Sequence, residues 1–308
     1  MSQRPRPRSI DSLREAARDI KLHHSVFALP FAVLSACVAA RGERGIEWSS
    51  FAAPLALVCA AMITARTTAM LANRVADAGI DARNPRTAGR AIPAGRLDAA
   101  RATIFAAASA LAFFAVCALF GALRGNWWPL ALSAPVLAWI VVYPLVKRVS
   151  WMCHLWLGFS LAMSAPAAAL AVQPARTGEP VFWLLAGMML LWVAGFDVIY
   201  ALQDVQVDRR ERLHSMPADF GEERALWLSR CMHAGAIACL VGAGAVCPAL
   251  GAPFRIAIGF AAAVLLLEHL TVRRWGTSKM ALTFFTLNGA VSVVVGACGV
   301  IGLLTAPS

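Results

Sequence analysis

Three polar residues recur every fourth position in the stretch Asn73-Arg74-Val75-Ala76-Asp77-Ala78-Gly79-Ile80-Asp81-Ala82-Arg83-Asn84-Pro85-Arg86-Thr87. On a helix that spacing stacks Asn73, Asp77 and Asp81 along one face, with Arg74, Arg83 and Arg86 around them. A second stretch, Asp197-Val198-Ile199-Tyr200-Ala201-Leu202-Gln203-Asp204-Val205-Gln206-Val207-Asp208, places Asp197, Tyr200, Asp204 and Asp208 on a helical face in the same way. Grouped carboxylates repel one another, so something positive must sit among them. Arginine supplies part of that charge. Mg²⁺ supplies it while keeping coordination positions for substrate oxygens, since it is typically held by one or two carboxylates plus phosphates and waters. Two such faces could clamp the two halves of a diphosphate, with Arg and Lys taking the remaining charge.

The elements that carry these faces lie in a membrane. Of 308 residues 59% are hydrophobic and only 15% charged, against about 25% charged in an average soluble chain. The mean hydropathy is +0.66, and the apolar residues fall in long runs rather than amphipathic stripes, which excludes a soluble domain. Nine spans are predicted, at 23–41, 49–72, 102–123, 127–146, 151–172, 181–203, 231–250, 256–272 and 280–304. Assigned to alternate sides of these spans, 22 Lys and Arg fall on one side and 5 on the other, while Arg66 lies inside a span. That asymmetry puts the amino terminus in the cytoplasm and the carboxyl terminus outside. Both aspartate stretches then fall on the cytoplasmic side. The net charge of +11 is therefore topology together with attraction to anionic lipid, and no nucleic-acid partner is expected.

A diphosphate beside an apolar bundle points to an isoprenoid diphosphate, with its head at the aspartates and its tail among the helices. A metal would stabilise departing pyrophosphate and leave an allylic cation for an acceptor to attack. Asp and Asn side chains could stabilise that cation, and one carboxylate could take the proton the acceptor loses.

Other features are subordinate. Residues 1–22, with Ile10, Leu13, Ala17 and Ile20 at roughly helical spacing, are expected as a basic segment on the cytoplasmic leaflet, followed by one transmembrane domain over 23–308. The first apolar run lacks a clear cleavage site and is read as a retained span. His23 and His24 read as interfacial polar residues. Arg66, two turns before Asn73, is costly in a span and should face a polar cavity. The turn-rich loop 82–98 is a basic lid candidate, and Lys147-Arg148 either neutralise phosphate or anchor a helix end. The eight cysteines show no CxxC pair or Cys/His cluster and read as small core residues. Glu268, His269 and Asn288 are isolated polar residues suited to bonding neighbouring helices. Each half of the chain repeats one plan: a span, a carboxylate face, then a basic loop with proline.

Taken together, the motifs resemble those of the UbiA superfamily of intramembrane prenyltransferases. The pattern NRxxDxxxDxxNxRT reads here as Asn73–Thr87, followed by RxxPxG at Arg90–Gly95; DxxYAxQDxxxD reads as Asp197–Asp208, and LHSxP as Leu213–Pro217. KLHHSVFALPF near the start, Lys147-Arg148, Glu268-His269 and FFTLNG at 284–289 are lesser matches. The resemblance implies an all-α protein of nine transmembrane helices around a central cavity, Mg²⁺ dependence, and transfer of a polyprenyl group to an aromatic ring. It implies Asp77, Asp81, Asp204 and Asp208 as metal ligands and, with Asp197, as the catalytic carboxylates. Arg66, Asn73, Arg74, Arg86, Lys147, Arg148, Tyr200 and Gln203 are the implied substrate-binding residues. The motif variants are similar to the quinone-pathway branch, whose members prenylate 4-hydroxybenzoate and whose close relatives prenylate 1,4-dihydroxy-6-naphthoate. Arg212 departs from the pattern, standing where that branch usually has Gly. An ion-coupled transporter is the competing class, but the carboxylates sit at one side and no charged path continues across the spans.

Overall fold

The computed structural model describes residues 15–16, 27–280 and 282–307. Most of the amino-terminal basic segment, and the His23-His24 pair, lie outside the described residues. Helix α1 (Leu29–Ala40) opens with Pro30 in its first turn, where a missing N–H costs nothing. A two-residue hairpin, Arg41–Gly42 with Gly45–Ile46, leads into α2 (Trp48–Ala76). Then come α3 (Ala78–Arg83), α4 (Ala99–Arg124), α5 (Trp128–Val146), α6 (Cys153–Ala162), α7 (Ser164–Val172) and α8 (Pro180–Ala201). The chain closes with α9 (Val205–Glu211), α10 (Met216–Phe220), α11 (Glu222–Val246), α12 (Gly251–Trp275) and α13 (Asn288–Thr305).

Among the described residues eight helical segments are long and apolar enough to cross a membrane. The first predicted span is represented by the shorter apolar helix α1, so the all-helical, polytopic architecture stands. Several boundaries differ from the sequence reading. The span expected at 151–172 is two helices meeting at Met163, because Pro166 cannot donate to Ala162 and its ring crowds that carbonyl. The span expected from 231 begins at Glu222, where Glu223 also sits in the first turn and both carboxylates favour the helix amino terminus.

Helix α8 is the axis of the bundle, packing against α6 and α11, with Leu185, Met188, Met189, Trp192, Val193 and Val198 fully buried. Apolar tails offer lipid no less than they offer one another, so close backbone approach and interhelical hydrogen bonds hold such helices together. Gly158 on α6 lies so close to α8 that a Cβ there would sit 2.4 Å from the Leu190 carbonyl oxygen. Trp192 Nε1 donates to Asn288 Oδ1 at 2.7 Å, and Asn288 Nδ2 donates to Glu268 Oε1 at 3.0 Å, joining α8, α13 and α12. Arg41 and Arg176, which the sequence reading assigned to the outer side, tie helix ends together. Arg41 donates to the carbonyls of Leu303, Ala306 and Pro307 at the end of α13, and Arg176 donates to those of Val38, Ala39 and Arg41 at the end of α1.

Candidate active site

The two motif stretches are not continuous helices. The first breaks at Asp77, between α2 and α3, and the second at Leu202–Asp204, between α8 and α9. Asp77 (φ −95°, ψ 2°) and Asp204 (φ −108°, ψ 1°) occupy nearly the same sparsely populated bridge conformation. Asp side chains compete for nearby backbone groups and are poor helix-interior residues, which favours a break there. In each stretch the fourth residue on still bonds back: Asp81 N to Asp77 O at 2.8 Å, and Asp208 N to Asp204 O at 2.7 Å. The four-residue backbone step is thus kept across each break, whereas Asp197 is separated from Asp204 by the tight turn.

Each pair meets cations. Lys147, at the end of α5, places Nζ 2.6 Å from Asp77 Oδ2, and Arg148 stands 3.6 Å from Asp77 Oδ1 while donating to the Ala76 carbonyl. Arg90 donates from one nitrogen to both oxygens of Asp81, at 2.7 and 2.8 Å. Arg86 crosses to the second motif, with Nε and Nη2 at 2.9 and 2.5 Å from the two oxygens of Asp204 and Nη1 bonded to the Tyr200 hydroxyl at 2.8 Å. Asn84 Nδ2 also donates to Asp204, and its own Oδ1 accepts the Arg86 N–H. Arg83 pairs with Glu211, and Arg210 donates to the Arg83 carbonyl. The two motifs are therefore stitched into one site.

Loop 84–97 is a folded cap: successive turns bury Ala91 and Leu97 against Leu71 and Ala102. Glu15 reaches it from the amino-terminal segment, accepting from Arg96 at 3.0 Å. Asp208 accepts from the Ser215 hydroxyl at 2.9 Å. Burial, with the charge of Asp204 nearby, pushes its carboxyl up to about 6 despite that hydrogen bond. Within the second pair it is Asp204, through Arg86, that holds the cation.

Asp197 has a partner of its own. His154, buried at the start of α6, holds Asp197 Oδ2 at 2.7 Å through Nδ1, and its Nε2 accepts the Met216 backbone N–H at 3.2 Å. The Tyr143 phenol lies within electrostatic reach of Asp197, Cys153, Asp77 and Arg90. Arg66 has a buried Nε without a hydrogen bond among the described residues, and Arg74 is buried three residues before Asp77. Gln203 donates to the Tyr200 carbonyl within the turn at 3.1 Å.

Two buried oxygens of the first motif bear on its fit to a divalent cation. Asp77 Oδ1 and Asn73 Oδ1 are buried acceptors, one helical turn apart, that accept no hydrogen bond among the described residues, although Arg148 stands 3.6 Å from the first. Buried oxygens that accept no hydrogen bond are costly, and a cation or its water satisfies them. Among the described residues no three Asp, Glu, His or Cys side chains gather into a cage. That donor set fits Mg²⁺ held by paired carboxylates and completed by a ligand's oxygens; it does not fit a metal bound by protein alone.

Sequence reading gave no role to Asn84, Arg90, His154 or Ser215. Asn84 and Arg90 stood inside the motif segments, where the Asn-Pro-Arg turn was a signal. The partners of His154 and Ser215 lie 43 and 7 residues away, and no local pattern announced them.

Comparison with known proteins agrees with this fold. Residues 28–305 match the UbiA prenyltransferase family. A UbiA homologue from Aeropyrum pernix K1, solved in its apo state, is 33% identical and superposes with a TM-score of 0.79 over 91% of this chain and 98% of its own. A UbiA homologue from Archaeoglobus fulgidus, solved with DMAPP and Mg²⁺, shares the fold at 16% identity, with a TM-score of 0.68 over 96% of this chain and 99% of its own. The 4-hydroxybenzoate octaprenyltransferase of Tolumonas auensis is 31% identical over 176 residues, which span 57% of this chain and 59% of that protein. The chain belongs to the UbiA prenyltransferase family. It is a multi-pass integral membrane protein.

Proposed function

We propose that this protein transfers a polyprenyl group from a polyprenyl diphosphate to 4-hydroxybenzoate, as a step of ubiquinone biosynthesis, at the cytoplasmic face of a bacterial inner membrane. The observation that carries the reading is the stitching of the two aspartate motifs by phosphate-binding side chains. Arg86, Arg90, Lys147 and Arg148 surround Asp77, Asp81 and Asp204 and can exchange a carboxylate for a diphosphate oxygen. The relative in Tolumonas auensis named for 4-hydroxybenzoate supports the acceptor, and the Archaeoglobus fulgidus homologue solved with DMAPP and Mg²⁺ supports the donor class and the metal.

Asp77, Asp81, Asp204 and Asp208 would hold Mg²⁺, with Asn73 beside the first pair. When bound, the ion neutralises the diphosphate and stabilises it as a leaving group. The protein's own residues do the rest. Arg86 and Lys147 orient the diphosphate, and Tyr200 fixes the approach of Arg86. The prenyl chain extends among the apolar helices. Arg66, whose Nε makes no hydrogen bond among the described residues, suits the carboxylate of the aromatic acid, and Arg74 lies two turns along the same helix. The donor's C–O bond breaks, a C–C bond forms beside the phenol hydroxyl, and the ring proton leaves to a carboxylate. The low charge within the spans and the basic segment at residues 1–22 suit a protein whose second partner is membrane lipid.

The test uses purified protein in detergent with Mg²⁺ and a long-chain prenyl diphosphate, offered 4-hydroxybenzoate and 1,4-dihydroxy-6-naphthoate in competition, with products read by mass. Prenylated hydroxybenzoate is expected. Prenylated naphthoate would move the protein to a menaquinone route, and release of pyrophosphate with neither product would refute the acceptor while keeping the donor. Solute flux in proteoliposomes without donor would replace the reading with transport.

A further inference from the structure

We propose that His154 is a positioning residue for Asp197, setting that carboxylate from the segment Leu213–Pro217; the inference rests on the prenyl-transfer reading above. The hydrogen bonds fix the histidine's tautomer. Met216 N–H can only donate, so Nε2 of His154 is the acceptor and carries no proton. The ring proton is then on Nδ1, donated to Asp197 Oδ2 at 2.7 Å. The imidazole is buried, with a side-chain exposure of 3% against 15% for Asp197, so it holds one orientation and leaves the carboxylate's other oxygen to face its surroundings.

The segment that supplies the Met216 N–H is tied to the other site groups as well. His214 N donates to the Lys147 carbonyl at 2.7 Å, immediately before the chain that pairs with Asp77. Ser215 donates its hydroxyl to Asp208 and also caps α10, accepting from Ala218 N. One five-residue segment thereby registers Lys147, Asp208 and, through His154, Asp197. Asp197 belongs to α8, where Gly158 of α6 allows the two backbones to approach closely, one turn from His154. The close packing makes the 43-residue separation between His154 and Asp197 irrelevant in space. A histidine used this way aligns a carboxylate without competing for the donor's diphosphate, in the manner of groups that orient a ligand from behind.

Two conservative variants separate this role from simple anchoring of the segment. His154→Asn places an amide N–H where Nδ1 stands and loses the acceptor for Met216. His154→Gln places a carbonyl where Nε2 stands and loses the donor to Asp197. If Asp197 is the object of the interaction, His154→Gln lowers kcat by about 10- to 100-fold with an unchanged KM for prenyl diphosphate, and His154→Asn stays within about threefold of wild type. The reverse order, or equal effects in both variants, would overturn the proposal. The ¹⁵N shifts of selectively labelled histidine, with His154→Asn for assignment among the six histidines, read the tautomer without substrate. An Nδ1–H imidazole is expected, and an Nε2–H imidazole refutes it. Failure of the wild type to prenylate either acceptor would count against the transfer reading alone, while the ¹⁵N result would still decide the geometry.

Discussion

If Asp204 holds a metal as proposed, Arg86 is the cation it must release first, and removing Arg86 should change metal and diphosphate binding in opposite directions. Its guanidinium holds both oxygens of Asp204, which places the two charges about 4 Å apart; at an effective dielectric near 20 that is about 4 kcal/mol of attraction. The Arg86 side chain is 30% exposed, and Asn84 stays bonded to Asp204 without it, so less than half of that attraction should survive as a net effect. About 1.4 kcal/mol, a tenfold change, is the expectation. Arg86→Gln keeps the size and removes the charge. In detergent, without donor, Mn²⁺ titrated into the variant and followed by electron paramagnetic resonance should bind about tenfold more tightly than to wild type. Inorganic pyrophosphate with saturating metal should bind about tenfold more weakly, because one of its cations is gone. Unchanged or weaker metal binding in a folded variant would refute the reasoning, since it would mean Arg86 does not compete for Asp204.

Three further outcomes follow from the same geometry. Asp77→Ala and Asp204→Ala should each abolish prenyl transfer while leaving the protein in the membrane, as read by mass of products and by fractionation; turnover in both would sink the proposed site. Arg212, exposed at φ 53° and ψ 42° at the end of α9, carries a left-handed backbone that costs an L-residue about 1–2 kcal/mol. Arg212→Gly should therefore raise thermal stability in detergent, by up to about 1 kcal/mol after the extra backbone entropy of glycine, with turnover unchanged, and Arg212→Val should lower it. Gly158→Ala puts a methyl 2.4 Å from the Leu190 carbonyl, so it should cost about 1–3 kcal/mol in a thermal melt and lower kcat as α6 and α8 separate.

Much of this was legible in the chain because the informative signals are local. Hydropathy runs gave the helices, since a span must satisfy its backbone internally and bury an apolar length. The aspartate spacing gave two pairs, since four residues return to the same face whether or not the helix pauses between them. What escaped was set by tertiary contact. The break at Met163 needed the effect of Pro166 to be weighed within an otherwise unbroken apolar run. His154 drew no role from the sequence, because its partner Asp197 lies 43 residues away and is brought beside it only by the packing of α6 on α8. Lys147 and Arg148 fitted either a helix anchor or a phosphate ligand, and only their distances to Asp77 associate them with the carboxylates. Arg212 is the instructive departure: the position demands the conformation that glycine adopts freely, and this chain meets the demand with an arginine in the same backbone region.

The pairing pattern has a thermodynamic consequence for how the site fills. Three of the four proposed metal ligands already hold a cation: Asp77 has Lys147, Asp81 has Arg90 and Asp204 has Arg86. A diphosphate arriving alone would draw those cations away and leave buried carboxylates unpaired, which is costly. A metal arriving alone would displace the cations from the carboxylates and leave them without an anion. Each ligand removes the penalty the other creates, so the two should bind with positive and reciprocal coupling, commonly about 1–3 kcal/mol. The cations are supplied across elements: Arg86 comes from the first motif to the second, and Lys147 comes from α5 to the first. Filling the site therefore exchanges partners between helices while the hydrogen bonds of Asn84 and Ser215 keep Asp204 and Asp208 in register. A site built this way holds its shape when empty and favours metal and diphosphate together over either one alone.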